Sequence, residues 1–119
     1  MADRDFWSAL ARLIAMRALC VDRPKGLPHP HYLSVIYPLD YGFLEGTASG
    51  DSGGIDVWIG GLPERRVTGI VRAVDQEKLA AEIKILFRCT ADEARQVLEF
   101  HNRGNQSAVL MERTRGCRR

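Results

Sequence analysis

Glycine and proline divide this chain into short apolar segments, and this division is the feature that most restricts its fold. Residues 55–59 alternate apolar and polar side chains, as a strand with one buried face does. Residues 67–74 and 81–87 are two more strand-like segments, joined by a charged turn. Residues 18–21 and the aromatic segment 37–43 complete the set. We therefore predict roughly five short strands in a mainly β fold.

Two segments have helical periodicity instead. In residues 4–16, Phe6, Leu10 and Leu13 fall on one apolar face, with Trp7 beside it. Thr90 and Glu93 have the spacing of a capping box and predict the start of a second helix, which His101 follows on its apolar face. Gly104 stands where a C-terminal cap is expected.

These elements predict a single domain, residues 1–119, with a helix at 4–16 and a basic tail at 112–119. Residues 107–111 are expected to close the sheet. The short strands favour a five-stranded, OB-like barrel that is closed or nearly closed, with flanking helices. Periodicity alone is equally compatible with an open α+β sheet.

Composition and charge narrow the class of protein. The chain is 45% apolar and 27% charged, which is typical of soluble globular proteins, and no segment approaches the ~20 apolar residues of a membrane span. Charges interrupt the N-terminal segment, so we expect a cytoplasmic protein without a secretory signal. The net charge is +2 and its excess lies in the tail, so a nucleic-acid partner is not expected.

Carboxylates and a lysine recur at strand ends. Asp51 and Asp56 flank a glycine pair at a loop-to-strand junction, where two carboxylates can converge on a hard cation, although a surface turn has the same composition. Asp75 precedes Glu82 and Lys84, which share one strand face and could hold metal and phosphate. The alternative for this pair is a solvent-facing ion pair.

A longer pattern joins these residues. Tyr-Pro-x-Asp-Tyr-Gly-Phe at 37–43, Thr47, and Asp-x-x-x-x-Asp-Val at 51–57 resemble the core of the soluble, Mg²⁺-dependent inorganic pyrophosphatases of the single-barrel type. The resemblance covers most of residues 20–87, with Glu82-x-Lys84 similar to that family's Asp-x-Lys pair. It implies the family's OB-like barrel, with Mg²⁺ held by the aspartates and glutamate listed here: Asp51, Asp56, Asp75 and Glu82.

The resemblance also implies roles in catalysis and substrate binding. Tyr41, Asp51 and Lys84 would be catalytic, and Tyr41 and Lys84 would also contact the phosphates. His31 falls where the family has a lysine. Two further cations, Lys25 and Arg103, are candidate replacement phosphate contacts, and Asp22 is a candidate outer-shell acid.

Several positions depart from the family pattern. Gly53 and Gly54 replace an aspartate and a proline of the signature, and only four residues lie between Tyr32 and Tyr37, so a hairpin with a phosphate-binding arginine is missing. We expect Mg²⁺-dependent hydrolysis of pyrophosphate or a related phosphoanhydride by metal-activated water. The alternative is a catalytically weakened protein that binds phosphate ligands or a protein partner. Homo-oligomerisation is left open.

Overall fold

The protein forms two helices and six strands in the part of the chain that the computed structural model describes, residues 2–50 and 53–114 with side chains from Asp5 onward. Their bounds are α1 (Ala2–Met16), β1 (Leu19–Arg23), β2 (Asp40–Leu44), β3 (Ile55–Ile59), β4 (Val67–Asp75), β5 (Ala80–Phe87), α2 (Ala91–Phe100) and β6 (Gln106–Glu112). Each predicted element is present, with ends that differ by a few residues. The fold is mainly β with flanking helices, as predicted.

The strands form one mixed sheet in the order β1-β2-β3-β5-β4-β6. β3 and β5 are parallel, with Val57 opposite Ile85, and the other pairs are antiparallel. The predicted five-stranded barrel is not confirmed: β1 and β6 lie at opposite edges, and no pairing within residues 2–50 and 53–114 joins them. Residues 107–111, expected to close the sheet, extend one edge of it as part of β6.

Helix α1 covers one face of the sheet. Leu10 is buried there in a cluster with Leu44, Val57 and Ile85. Trp7 packs against this cluster, whereas Phe6, which was predicted to share the apolar face, is 36% exposed and contacts Trp7 edge-on. Burial of this apolar face is what stabilises α1 on the sheet.

Helix α2 and the segment before β2 cover the opposite face. Trp58, Leu86 and Val97 are buried in this second cluster together with Tyr37. The rings of Tyr41 and Trp58 lie 4.4 Å apart, so the aromatic segment forms core although β2 begins only at Asp40. The candidate site occupies the polar end of this face.

The start of α2 has the predicted capping box. The Thr90 hydroxyl accepts a hydrogen bond from the Glu93 amide at 3.1 Å, and the Thr90 amide donates to the Glu93 carboxylate at 2.9 Å. The other end differs from the prediction, because His101 is the C-cap and Gly104 lies in the following turn with φ +56°.

The beginning of the predicted basic tail belongs to the sheet. Glu112 is the last residue of β6, and the Arg113 amide donates to the Thr68 carbonyl at 2.9 Å. Residues 115–119 lie outside the described residues. Neither α1 nor α2 has the length and apolar character that a membrane crossing requires.

Asn102 shields part of the outer edge of β6. Its side-chain oxygen accepts a hydrogen bond from the Ala108 amide at 3.0 Å, and its side-chain nitrogen donates to the Ala108 carbonyl at 3.2 Å. The side chain thus takes the place that a neighbouring strand would occupy. Unpaired edge strands invite pairing with another chain, and this contact blocks one step of it.

We expect Asn102→Ala to lower the free energy of unfolding by about 1 kcal/mol, the net contribution of a typical hydrogen bond. The exposed Ala108 amide and carbonyl should also promote self-association. Urea unfolding measures the first effect, and light scattering over a concentration series measures the second. Asn105→Ala, in the same turn, is the control. Equal scattering from the two variants would show that Asn102 does not shield the edge.

Candidate active site

Lys84 forms the centre of a polar cluster on the face of the sheet that α2 covers. Its ammonium donates to Asp56 Oδ2 and to Glu82 Oε1, both at 2.7 Å, and to the Tyr41 hydroxyl at 3.2 Å. Asp56 Oδ2 and Glu82 Oε1 are therefore no farther apart than the sum of these two 2.7 Å hydrogen bonds. Four residues singled out from the sequence are thus in direct contact.

Strand pairing explains why these side chains meet. β2 and β3 pair so that Tyr41 is opposite Trp58, and β3 and β5 run parallel with Val57 opposite Ile85. Side chains alternate between the faces of a strand, so Asp56 and Lys84 lie on the same face of neighbouring strands. Glu82, two residues before Lys84, shares that face, as predicted.

The cluster is mostly withdrawn from solvent. The side chains of Lys84, Asp56 and Glu82 are 11%, 19% and 8% exposed. Burial alone would lower the pKa of Lys84, but its contacts with Tyr41, Asp56 and Glu82 raise it above its ordinary value. Burial raises the pKa of Tyr41, and the nearby Asp56 carboxylate adds to the effect. At neutral pH, Lys84 is therefore charged and the Tyr41 hydroxyl keeps its proton.

The cluster lies on the wall of a cavity of about 930 Å³. The lining includes Asp22, His31, Asp75 and Arg103, all proposed from the sequence. Acidic and basic side chains thus face the same space, which suits a ligand that combines phosphate groups with a metal ion.

Two candidate residues, Lys25 and Asp75, make contacts outside the cluster. Lys25 is exposed and does not line the cavity, and its backbone amide donates to Asp40 Oδ1 at 2.8 Å. Asp75 lines the cavity, but its Oδ1 accepts hydrogen bonds from the Glu77 and Lys78 amides and so holds the turn after β4. Asp51 lies outside the described residues.

The carboxylates of the described residues do not form a complete metal cage by themselves. Among residues 2–50 and 53–114, no three His, Cys, Asp or Glu side chains are close enough together to hold an ion. Asp56 and Glu82 are the two carboxylates brought together, with the Lys84 ammonium between them. Carboxylate oxygens are hard ligands of the kind that Mg²⁺ prefers, and Mg²⁺ sites in proteins commonly combine one or two carboxylates with water and substrate phosphates.

His101 also lines the cavity, and the sequence did not predict the role that it has there. It is 4% exposed, its Nε2 accepts a hydrogen bond from Trp58 Nε1 at 3.0 Å, and its Nδ1 lies 3.0 Å from Gln106 Oε1. This arrangement places the proton of the neutral ring on Nδ1. Burial lowers the pKa of His101 to about 4, and the charge of Lys84 acts in the same direction. The sequence signal that could have indicated its burial was its predicted position on the apolar face of the second helix.

Further charged side chains line the cavity outside the Lys84 cluster. Arg23 and Lys78 line it together with the carboxylates of Asp22 and Glu77, and His29 lies in the same lining. Burial lowers the pKa of His29, and the charges of Arg23, His31 and Lys78 lower it further. His29 is therefore uncharged at neutral pH, and Arg23 and Lys78 each have a carboxylate next to them in the sequence.

The glycine at position 54 is required by packing. A Cβ there would lie 2.6 Å from the Leu44 carbonyl oxygen, closer than real contacts allow. Thr47 fixes the same loop, since its hydroxyl donates to the Leu44 carbonyl at 2.7 Å and accepts from the Ile55 amide at 2.9 Å. The proline of the pyrophosphatase signature therefore does not fit at this position without a shift of the backbone.

Comparison with known proteins adds no assignment. No protein-family model matches the chain. No curated protein sequence matches it either.

Proposed function

We propose that this protein hydrolyses inorganic pyrophosphate, or a related phosphoanhydride, in a Mg²⁺-dependent reaction within the cavity described above. The observation that carries the proposal is the contact of Lys84 with Asp56, Glu82 and Tyr41 on the cavity wall. The described strands form an open sheet. The OB-like barrel that the resemblance to the pyrophosphatases implies is therefore part of this proposal and not of the observed fold.

Asp56 and Glu82 are the residues that would hold Mg²⁺, and Asp51 is a further candidate from the sequence. The carboxylates of Asp56 and Glu82 suit a hard cation, and both already contact one positive group, the Lys84 ammonium. When bound, Mg²⁺ would neutralise phosphate charge and lower the pKa of a water molecule.

The chain's own residues bind and orient the phosphates. Lys84 acts as a point charge on a phosphate oxygen, and Arg23 and Lys78 are further cations of the cavity lining. A lysine ammonium has three N–H donors, and three protein oxygens accept from it here. Lys84 therefore meets a phosphate only by giving up one of these contacts. The Tyr41 hydroxyl keeps its proton and serves as a hydrogen-bond donor.

A second candidate is binding of phosphate ligands without hydrolysis. The observation in its favour is the glycine pair at 53–54, where the family pattern has an aspartate next to the proline. A Cβ at Gly54 would lie 2.6 Å from the Leu44 carbonyl oxygen, so the proline of the signature cannot be restored by simple substitution. The cavity would then bind phosphates but lack one carboxylate that helps to activate water.

Mg²⁺ should raise the melting temperature, because a ligand that binds only the folded state stabilises it. At a Mg²⁺ concentration tenfold above Kd the gain is about 1.4 kcal/mol, which corresponds to roughly 5 °C for a domain of this size. Asp56→Asn should remove most of this increase, and Asp92→Asn on the exposed side of α2 is the matched control. An unchanged melting temperature of the wild type in millimolar Mg²⁺ would contradict the metal site.

A further inference from the structure

A ladder of aromatic rings runs from the mouth of the cavity to the Lys84 cluster. The rings of Tyr32 and His29 lie 5.2 Å apart, and His29 stacks on Tyr37 at 6.0 Å with an interplanar angle of 9°. Tyr37 lies 5.6 Å from Tyr41, whose ring is 5.8 Å from the Lys84 ammonium. The outer end of the ladder and the phosphate-binding end are thus connected through continuous contacts.

Tyr32 is the exposed end of this ladder. It lines the cavity and is 58% exposed, whereas Tyr37 in the middle of the ladder is 5% exposed. The loop that carries Tyr32 is held by backbone hydrogen bonds, from the Val35 amide to the Tyr32 carbonyl at 2.8 Å and from the His29 amide to the Val35 carbonyl at 2.7 Å. An exposed ring on a fixed loop offers a flat binding surface without a large cost in side-chain entropy.

The cavity is large for pyrophosphate alone. Its volume of about 930 Å³ falls within the range of pockets that take ligands the size of a nucleotide. One end of it offers carboxylates and a lysine, and the other offers an aromatic ring. A planar group attached to phosphates would match both ends.

We propose that the ligand is a nucleoside phosphoanhydride, whose base stacks on Tyr32 while its phosphates bind at Lys84. This inference rests on the proposed function and specifies its substrate class. Every base can stack on an aromatic side chain, so Tyr32 would favour ligands that carry a base but would not distinguish one base from another. Arg23 and Lys78 line the same cavity, together with the carboxylates of Asp22 and Glu77.

The test compares two ligands that share a non-hydrolysable P–C–P group, methylenediphosphonate and α,β-methylene-ADP. Their affinities are measured by calorimetry in the presence of Mg²⁺. We expect the adenosine-bearing ligand to bind about tenfold more tightly, a gain typical of one stacked base. Tyr32→Ala should remove this gain and leave the affinity for methylenediphosphonate unchanged. Tyr32→Phe, which keeps the ring, should retain it.

The outcomes separate this inference from the proposed function. If methylenediphosphonate binds and adenosine adds no affinity, the nucleoside inference is wrong and the phosphoanhydride site stands. If Tyr32→Ala weakens both ligands equally, Tyr32 has a structural role and the inference is also wrong. If neither ligand binds to the folded wild type, both proposals are wrong.

Discussion

Acidification from pH 7 to pH 4 is expected to lower the free energy of unfolding by about 3 kcal/mol through His101 alone. The folded state holds this ring neutral, with its pKa lowered from 6.5 to about 4 by burial, whereas the unfolded chain protonates near 6.5. Between these two values the unfolded state binds the additional proton, so stability falls as the pH falls. The contribution is fully present above pH 6.5. Urea unfolding across this range measures it.

His101→Gln separates the contribution of His101 from that of every other titratable group. A glutamine oxygen can accept the Trp58 Nε1–H hydrogen bond and does not titrate. The free energy of unfolding of the variant at pH 7 serves as its own reference. The change in this free energy between pH 7 and pH 4 is then compared between the variant and the wild type. The variant should lose less stability than the wild type over this interval. Identical losses in the two proteins would show that His101 does not carry the pH dependence.

Lys84→Met should weaken pyrophosphate binding by about 1.5–3 kcal/mol, the range of hydrogen bonds to charged groups. Methionine fills similar space without the charge, so the variant removes the attraction to phosphate. Any Mg²⁺-dependent hydrolysis should fall by at least as much, because charge on the phosphate oxygens grows in the transition state. Calorimetry and phosphate release measure the two effects.

Two further variants make this prediction decisive. Lys84→Met leaves Asp56 and Glu82 without their cation, so folding is checked by circular dichroism. Tyr41→Phe keeps the ring in the core and removes only the hydroxyl, and it should also weaken binding. Lys25→Met is the matched control, because Lys25 lies outside the cavity lining. Equal affinities of wild type and folded Lys84→Met would show that Lys84 is only an ion-pair partner.

Local sequence signals predicted the secondary structure well. Alternation placed Glu82 and Lys84 on one face, and both are in the cluster. The spacing of Thr90 and Glu93 predicted the start of α2, where both capping hydrogen bonds are present. These signals depend on contacts within a few residues of the chain, which is why the sequence alone contains them.

Local sequence signals of this kind do not predict the order of the strands in the sheet. The contact between Asp56 and Lys84 depends on the parallel pairing of β3 with β5, which places β5 between β3 and β4. Alternation within a strand does not specify its neighbour, so the expectation of a closed barrel was not confirmed. His101 was likewise placed on an apolar helix face, but its hydrogen bond to Trp58 joins residues 43 positions apart.

Release of phosphate from pyrophosphate by the purified protein, with and without Mg²⁺, tests the central claim most directly. We predict release above the buffer background only when Mg²⁺ is present, and a return to background in Asp56→Asn, which alters one of the two carboxylates held by Lys84. Release that stays at background for the folded wild type at every Mg²⁺ concentration would contradict the proposed hydrolysis.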